Sequence, residues 1–179
     1  MRIRSKQIDQ AQQLDLELAL SADELNGLLR GYEGYEATAP ARASLRLRTA
    51  DKAYALTGSL VASLSAPCRR CLSPCPSEVD LSLELRLLPA TLQPASNEEV
   101  ELSPEDCDTH FFHDDEIDLH EILRESLLVE LEPYRQCSEA CAGLCSGCGA
   151  NLNLEPCRCT PVEGDPRWQE LLRLKRSPS

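Results

Sequence analysis

The chain has 179 residues, 42% hydrophobic and only 4% aromatic, with 30 acidic against 18 basic side chains and a formal charge of -12. That length suits one cored domain with a small appended module but not two full-sized domains, and so few rings disfavour an RNA reader built on base stacking. No stretch approaches the roughly 18 apolar residues of a membrane span, and the polar start Met1-Arg2-Ile3-Arg4 lacks the apolar centre of an export signal, so a cytoplasmic chain is expected.

The acidic excess is uneven: Met1 to Arg86 holds 11 basic and 11 acidic residues, and the remainder 7 and 19. In the neutral half, Leu14-Asp15-Leu16-Glu17-Leu18-Ala19-Leu20 alternates with period two, as a half-buried strand does. Ser21, three residues before Glu24, forms a capping-box pattern, and Leu25, Leu28 and Leu29 follow at helical spacing. Beyond the breakers Gly31, Gly34 and Pro40, the alternating runs Ser44 to Arg48 and Tyr54 to Ser65 predict a hairpin turning at Ala50-Asp51-Lys52. Val79 to Leu87 alternates again, which makes antiparallel sheet the natural assembly.

No Lys or Arg occurs between Arg86 and Arg124, while acidic residues accumulate there, which predicts an extended connector. At Asp118, a cap pattern with Glu121 opens an apolar stripe of Leu119, Ile122, Leu123, Leu127 and Leu131, expected to dock on the sheet and to end at Pro133. Asp165-Pro166 predicts the start of a terminal helix with Trp168, Leu171 and Leu172 on one face and Arg173, Lys175 and Arg176 in its last turn. The expected fold is therefore α+β: a mostly antiparallel β N-terminal domain (1–90) with covering helices, an acidic connector (91–117), a docking helix (118–134) and a C-terminal cysteine-rich zinc-binding module with a terminal helix (135–179).

Ten cysteines in a reducing compartment read as metal ligands or redox pairs before they read as disulfides. In Cys145-Ser146-Gly147-Cys148-Gly149, two residues between thiolates let both sulfurs face one ion, and the glycines permit the tight backbone. With Cys137, Cys141, Cys157 and Cys159 this makes six cysteines in 23 residues and no histidine, a donor set that favours zinc over an iron–sulfur centre. A redox pair of this spacing usually starts a helix after a strand; here glycines and prolines surround it. The first choice of four is Cys145, Cys148, Cys157 and Cys159, with Cys137 and Cys141 supplying one ligand or capping the site. Cys68-Arg69-Arg70-Cys71 is a second pair, short of two ligands, which must borrow Cys137 and Cys141, borrow Cys75, or stay metal-free. Its arginines could touch phosphate. Cys107, His110 and His113 have ligand-like spacing but read as a solvated loop.

At these residues the chain resembles the YceD family, bacterial and plastid proteins associated with accumulation of large-subunit (23S) ribosomal RNA. The similarity rests on Cys68-Arg69-Arg70-Cys71-Leu72, the acidic segment and following helix, Gly143-Leu144-Cys145-Ser146-Gly147-Cys148-Gly149-Ala150-Asn151-Leu152-Asn153, Cys157-Arg158-Cys159 and Asp165-Pro166-Arg167. It implies work in processing or stabilising that RNA or in large-subunit assembly, with no established catalytic chemistry. It also suggests that the zinc module supports the fold. The acidity opposes direct phosphate contact, so the partner is expected to be the large-subunit RNA or an assembly protein that mediates the link, with no membrane and no small-molecule substrate. The other class in play is a zinc-dependent interaction adaptor without a ribosomal role. An enzyme is disfavoured because no Gly-rich phosphate loop, nucleophile elbow or His-Glu metal motif occurs. Any RNA or partner contact is expected in the neutral half, on Arg46, Arg48, Arg69 and Arg70, whose competing reading is solvation or pairing with Glu17 and Glu84.

Overall fold

The computed structural model describes residues 1–32, 34–51, 53–93, 101 and 103–160. In chain order these form β1 (Arg2–Arg4), α1 (Ser5–Ala11), β2 (Gln13–Leu20), α2 (Ala22–Leu28), β3 (Glu36–Ala37), β4 (Ala41–Ala50), β5 (Ala53–Pro67) and β6 (Pro74–Pro89). A 3-10 turn (Ala90–Leu92), α3 (Pro104–Cys107), β7 (Thr109–Phe112), β8 (Glu116–Asp118) and α4 (Leu119–Glu130) follow. The architecture is α+β and mostly antiparallel, as the alternating runs require.

The main sheet has the order β2-β4-β5-β6-β7, with β3 beside the far end of β5. Period-two alternation sends Ala41, Ala43, Leu45 and Leu47 of β4 to one face, with Leu56, Leu60, Ala62 and Leu64 of β5 and Val79, Leu83 and Leu87 of β6. Helices α1, α2 and α4 cover that face, and the opposite face of β4 and β6 is exposed. Ser21 caps α2 by accepting from the Glu24 N–H, while the Glu24 carboxylate accepts from the Ser21 N–H at 2.8 Å, the reciprocal pattern expected from the sequence. Leu119, Ile122, Leu123, Leu127 and Leu131 are all buried, so α4 docks as its stripe predicts. Burial of each such side chain stabilises by about 1.5–3 kcal/mol. The helix stops at Glu130, three residues before Pro133, where Leu131 turns extended.

Three features depart from the expected layout. Residues 104–118 of the acidic segment are not simply extended: α3, β7 and β8 form within it. Strand β7 lies parallel to β6, with Arg86 opposite Thr109 and Pro89 opposite Phe112, so the sheet is not wholly antiparallel. Strand β8 pairs with β1 (Arg2 opposite Asp118, Arg4 opposite Glu116), and ion pairs from Arg2 to Asp118 at 3.0 Å and from Arg4 to Glu116 at 3.7 Å relieve the local repulsion. The terminal helix expected from Asp165 lies outside the described residues.

Candidate metal centres

The long β5–β6 hairpin closes through Cys68-Arg69-Arg70-Cys71. The Cys68 N–H donates to the Ser73 carbonyl (2.8 Å), the Leu72 N–H donates back to the Cys68 carbonyl (2.9 Å), and Leu72 takes φ 61°. That turn points both sulfurs inward, where Cys137 and Cys141 meet them after α4. Cys68 Sγ is 3.8 Å from Cys141 Sγ, and Cys71 Sγ is 3.6 Å from Cys137 Sγ. Cys68, Cys71 and Cys141 are buried.

Farther along, the Cys145 N–H donates to the Ala150 carbonyl (2.8 Å) and the Gly149 N–H to the Cys145 carbonyl (2.9 Å), folding the predicted knuckle. Gly149 has φ +73°, and a Cβ at Gly147 would lie 2.6 Å from Cys159 Sγ, so glycine is required at both for different reasons. The sulfur of Cys145 lies 3.3 Å from that of Cys157 and 3.7 Å from that of Cys159, and Cys148 and Cys157 are 4.0 Å apart.

Each set of four sulfurs lies within 4.8 Å, and either set could hold a metal ion. The spacings fit the donor chemistry: four thiolates about 2.3 Å from a tetrahedral zinc stand about 3.8 Å from one another. A polynuclear iron–sulfur cluster interposes several atoms and holds its thiolates farther apart. The structure thus brings the expected first-choice set together, and it places Cys137 and Cys141 beside Cys68 and Cys71 instead of at the Cys145 set, where one of them was expected to supply a ligand or cap the site. Cys75 is buried beside the first set, its thiol directed to the Ser73 carbonyl at 3.5 Å and its pKa raised by burial. Exposed Cys107 does not join His110 and His113 in such a group among the described residues; His110 instead faces Glu125 at 3.2 Å.

Electrostatics within each set are graded. Backbone N–H groups of Cys137 and Cys71 point at Cys68 and lower its pKa to about 5, while the N–H groups of Cys148 and Gly147 lower that of Cys145 to about 6. Cys137, sharing a proton with Cys141 and Cys71, is pushed up to about 12, as is Cys159 beside Cys157 and Cys145. A divalent cation compensates the charge that four thiolates cannot otherwise share.

The two centres are joined. The Leu144 N–H donates to the Arg70 carbonyl (3.0 Å), and Asn151 Nδ2 donates to Ser73 Oγ (3.2 Å). Asn153 Nδ2 donates to the sulfur of Cys141 at 3.4 Å. Asn153 was not singled out as a site residue from the sequence; its place in the glycine-rich knuckle motif was the available signal.

The four arginines do not form one face. Arg46 is held by Asp15 at 2.6 Å and, like Arg48, lies opposite the start of β5: their partners there are Thr57 and Ala55. Arg69 and Arg70 follow the end of β5 at Pro67, so at about 3.3 Å per residue the two pairs stand on the order of 30–40 Å apart along the strand. Arg69 lies over the ring of Tyr134, 4.8 Å from its centroid.

The family described as large ribosomal RNA subunit accumulation protein YceD matches residues 56–175, a span that includes both cysteine sets. Uncharacterised proteins of Mycobacterium tuberculosis and Mycobacterium bovis are each 30% identical over 131 residues, 73% of this chain and 59% of theirs. The chain therefore spans just under three fifths of these relatives' length. An Arabidopsis thaliana chloroplastic protein, named large ribosomal RNA subunit accumulation protein YCED homolog 1, is 37% identical over 60 residues, 34% of this chain and 19% of that one. No solved structure matches.

Proposed function

The chain belongs to the YceD family, and from that ribosome-related premise we propose that it is a non-enzymatic, cytoplasmic factor that supports accumulation of 23S ribosomal RNA and assembly of the large subunit. The observation that carries this reading is the family match over residues 56–175. Zinc is the proposed occupant of both cysteine sets. Four thiolates around one ion leave no open coordination position for a substrate, which is the pattern of structural zinc. The chain's own residues then have structural tasks: Cys68 and Cys71 hold the hairpin end against Cys137 and Cys141, and the N–H groups on Cys68 favour its thiolate.

The proposed contact with large-subunit RNA or an assembly protein is the exposed turn at Arg69 and Arg70, on the rigid rim of the first centre. Arg46 and Arg48, at the other end of the hairpin, are not part of it. The test is a cell depleted of the native protein and supplied with the double variant Arg69→Ala, Arg70→Ala. Lower mature 23S RNA and accumulated precursors in sucrose gradients, at unchanged protein level, are expected. Normal large-subunit RNA overturns the contact. A wild-type chain that neither rescues the RNA nor co-sediments with pre-ribosomal particles overturns the ribosomal role and favours the plain adaptor.

A further inference from the structure

We propose that the outer edge of β6 is a docking site for an extended basic peptide that adds to the sheet as another strand. Such docking requires no ribosomal role and follows from the hydrogen-bond ladder. Strand β7 covers β6 only from Arg86 to Pro89, and nearer its start no strand pairs with the outer edge among the described residues. The Arg86 N–H points outward, to the Asp108 carbonyl (2.8 Å), and the Pro76 carbonyl points outward too, accepting from Arg135 Nη2 (2.6 Å). Alternation then turns the backbone groups of Glu78, Asp80, Ser82 and Glu84 the same way, a row that an incoming strand can satisfy.

The space beside this edge is a groove. A cavity of about 330 Å³ runs along Leu81 to Leu85, bounded by residues 107–110 and by Ile122, Glu125, Ser126, Val129 and Glu130 of α4. Val129 stands 88% exposed there, an apolar side chain on an otherwise docked helix. Glu84, Asp108, Glu125 and Glu130 line the same groove, and Glu78 and Asp80 extend the acidic row along the exposed face of β6.

Charge complementarity selects the occupant. A peptide laid along Glu78 to Glu84 places alternate side chains on the two faces of the sheet. On the solvent face they meet Glu78, Asp80 and Glu84; on the other they meet Val129 and the apolar floor. The partner is therefore an extended segment that alternates basic with aliphatic residues. Acidic side chains along an open edge also repel a second copy of the same edge, which disfavours self-pairing.

The test uses the full chain, metal-loaded, with a synthetic peptide alternating lysine and valine. Saturable binding that weakens with added salt is expected, together with slowed exchange of the Ser82 and Glu84 amides. The triple variant Glu84→Lys, Glu125→Lys, Glu130→Lys should bind about tenfold more weakly or worse, as should Ser82→Pro, which removes an outward N–H that no strand uses. A peptide of equal charge, N-methylated at alternate residues along one edge, separates pairing from attraction because it cannot complete the ladder. Equal binding of that peptide, equal binding of a glutamate–valine peptide, or Ser82 and Glu84 amides already protected in the free chain would each overturn the proposal.

Discussion

Replacing Cys145 by Ser takes one of four thiolates from the second centre and leaves the first intact. Metal content should fall from two ions per chain to one. Five hydrogen bonds remain to hold the segment: those from Leu144, Asn151 and Asn153 to the first centre, from the Ala142 N–H to Asn153 Oδ1 (2.7 Å) and from the Leu152 N–H to the Gly143 carbonyl (2.9 Å). At about 1 kcal/mol each they total about 5 kcal/mol, well under the roughly 10–16 kcal/mol of a structural zinc site. Residues 145–159 should therefore open, with fast exchange at the Cys145 and Gly149 amides that close the knuckle. The amides of Leu56, Leu60 and Leu83, inside the main sheet, should keep their protection. The contacts of Cys137 and Cys141 with Cys71 and Cys68 keep the opening from reaching back to residue 137. Native mass spectrometry counts the ions and amide exchange locates the opening. Loss of both ions, or uniform loss of protection across β5 and β6, would refute the reasoning.

Cys141→Ser should be the more damaging change, releasing the first ion and detaching the second centre as well, which the same ion count checks. Gly147→Ala should displace Cys159, whose sulfur is 2.6 Å from the new Cβ, and weaken the second ion selectively in a chelator competition. Metal uptake should release protons: Cys137 and Cys159, with pKa values near 12, are protonated at pH 7 in the empty centres and must ionise to bind, so affinity rises with pH by about tenfold per unit for each proton displaced. Gly58→Ala should destabilise the sheet by about 1–3 kcal/mol, read from the urea midpoint, because its Cβ would lie 2.2 Å from the Ser44 carbonyl oxygen of β4.

What the sequence disclosed was what local chemistry determines. The Ser21–Glu24 box, the alternation of residues 14–20 and the leucine stripe of α4 each depend on neighbours within a few positions, and each forms as read. Strands β7 and β8 were hidden because each is at most four residues long and finds its partner far away in the chain, under a charge pattern that suggests repulsion. One clue was present: Asp114 and Asp115 both take positive φ in the turn that bridges His113 to Glu116, a conformation aspartate tolerates. The second cysteine set was legible by spacing, as both pairs sit within 15 residues. The first needed the arithmetic of two incomplete pairs 66 and 73 residues apart, which spacing leaves open and the hairpin's geometry decides.

That separation has a kinetic side. An ion bound by Cys68, Cys71, Cys137 and Cys141 closes a loop of about 70 residues, and by analogy with a disulfide of that span it removes about 4 kcal/mol of chain entropy from the unfolded ensemble. It cannot close until Cys141 has left the ribosome, long after the β4–β5–β6 meander is available to fold. On a growing chain the Cys68–Cys71 turn is thus a half-site with two thiols waiting, and metal capture there would be among the last steps of folding. In a metal-starved cell the sheet would form on time, and the chain would stall with its last segment untethered.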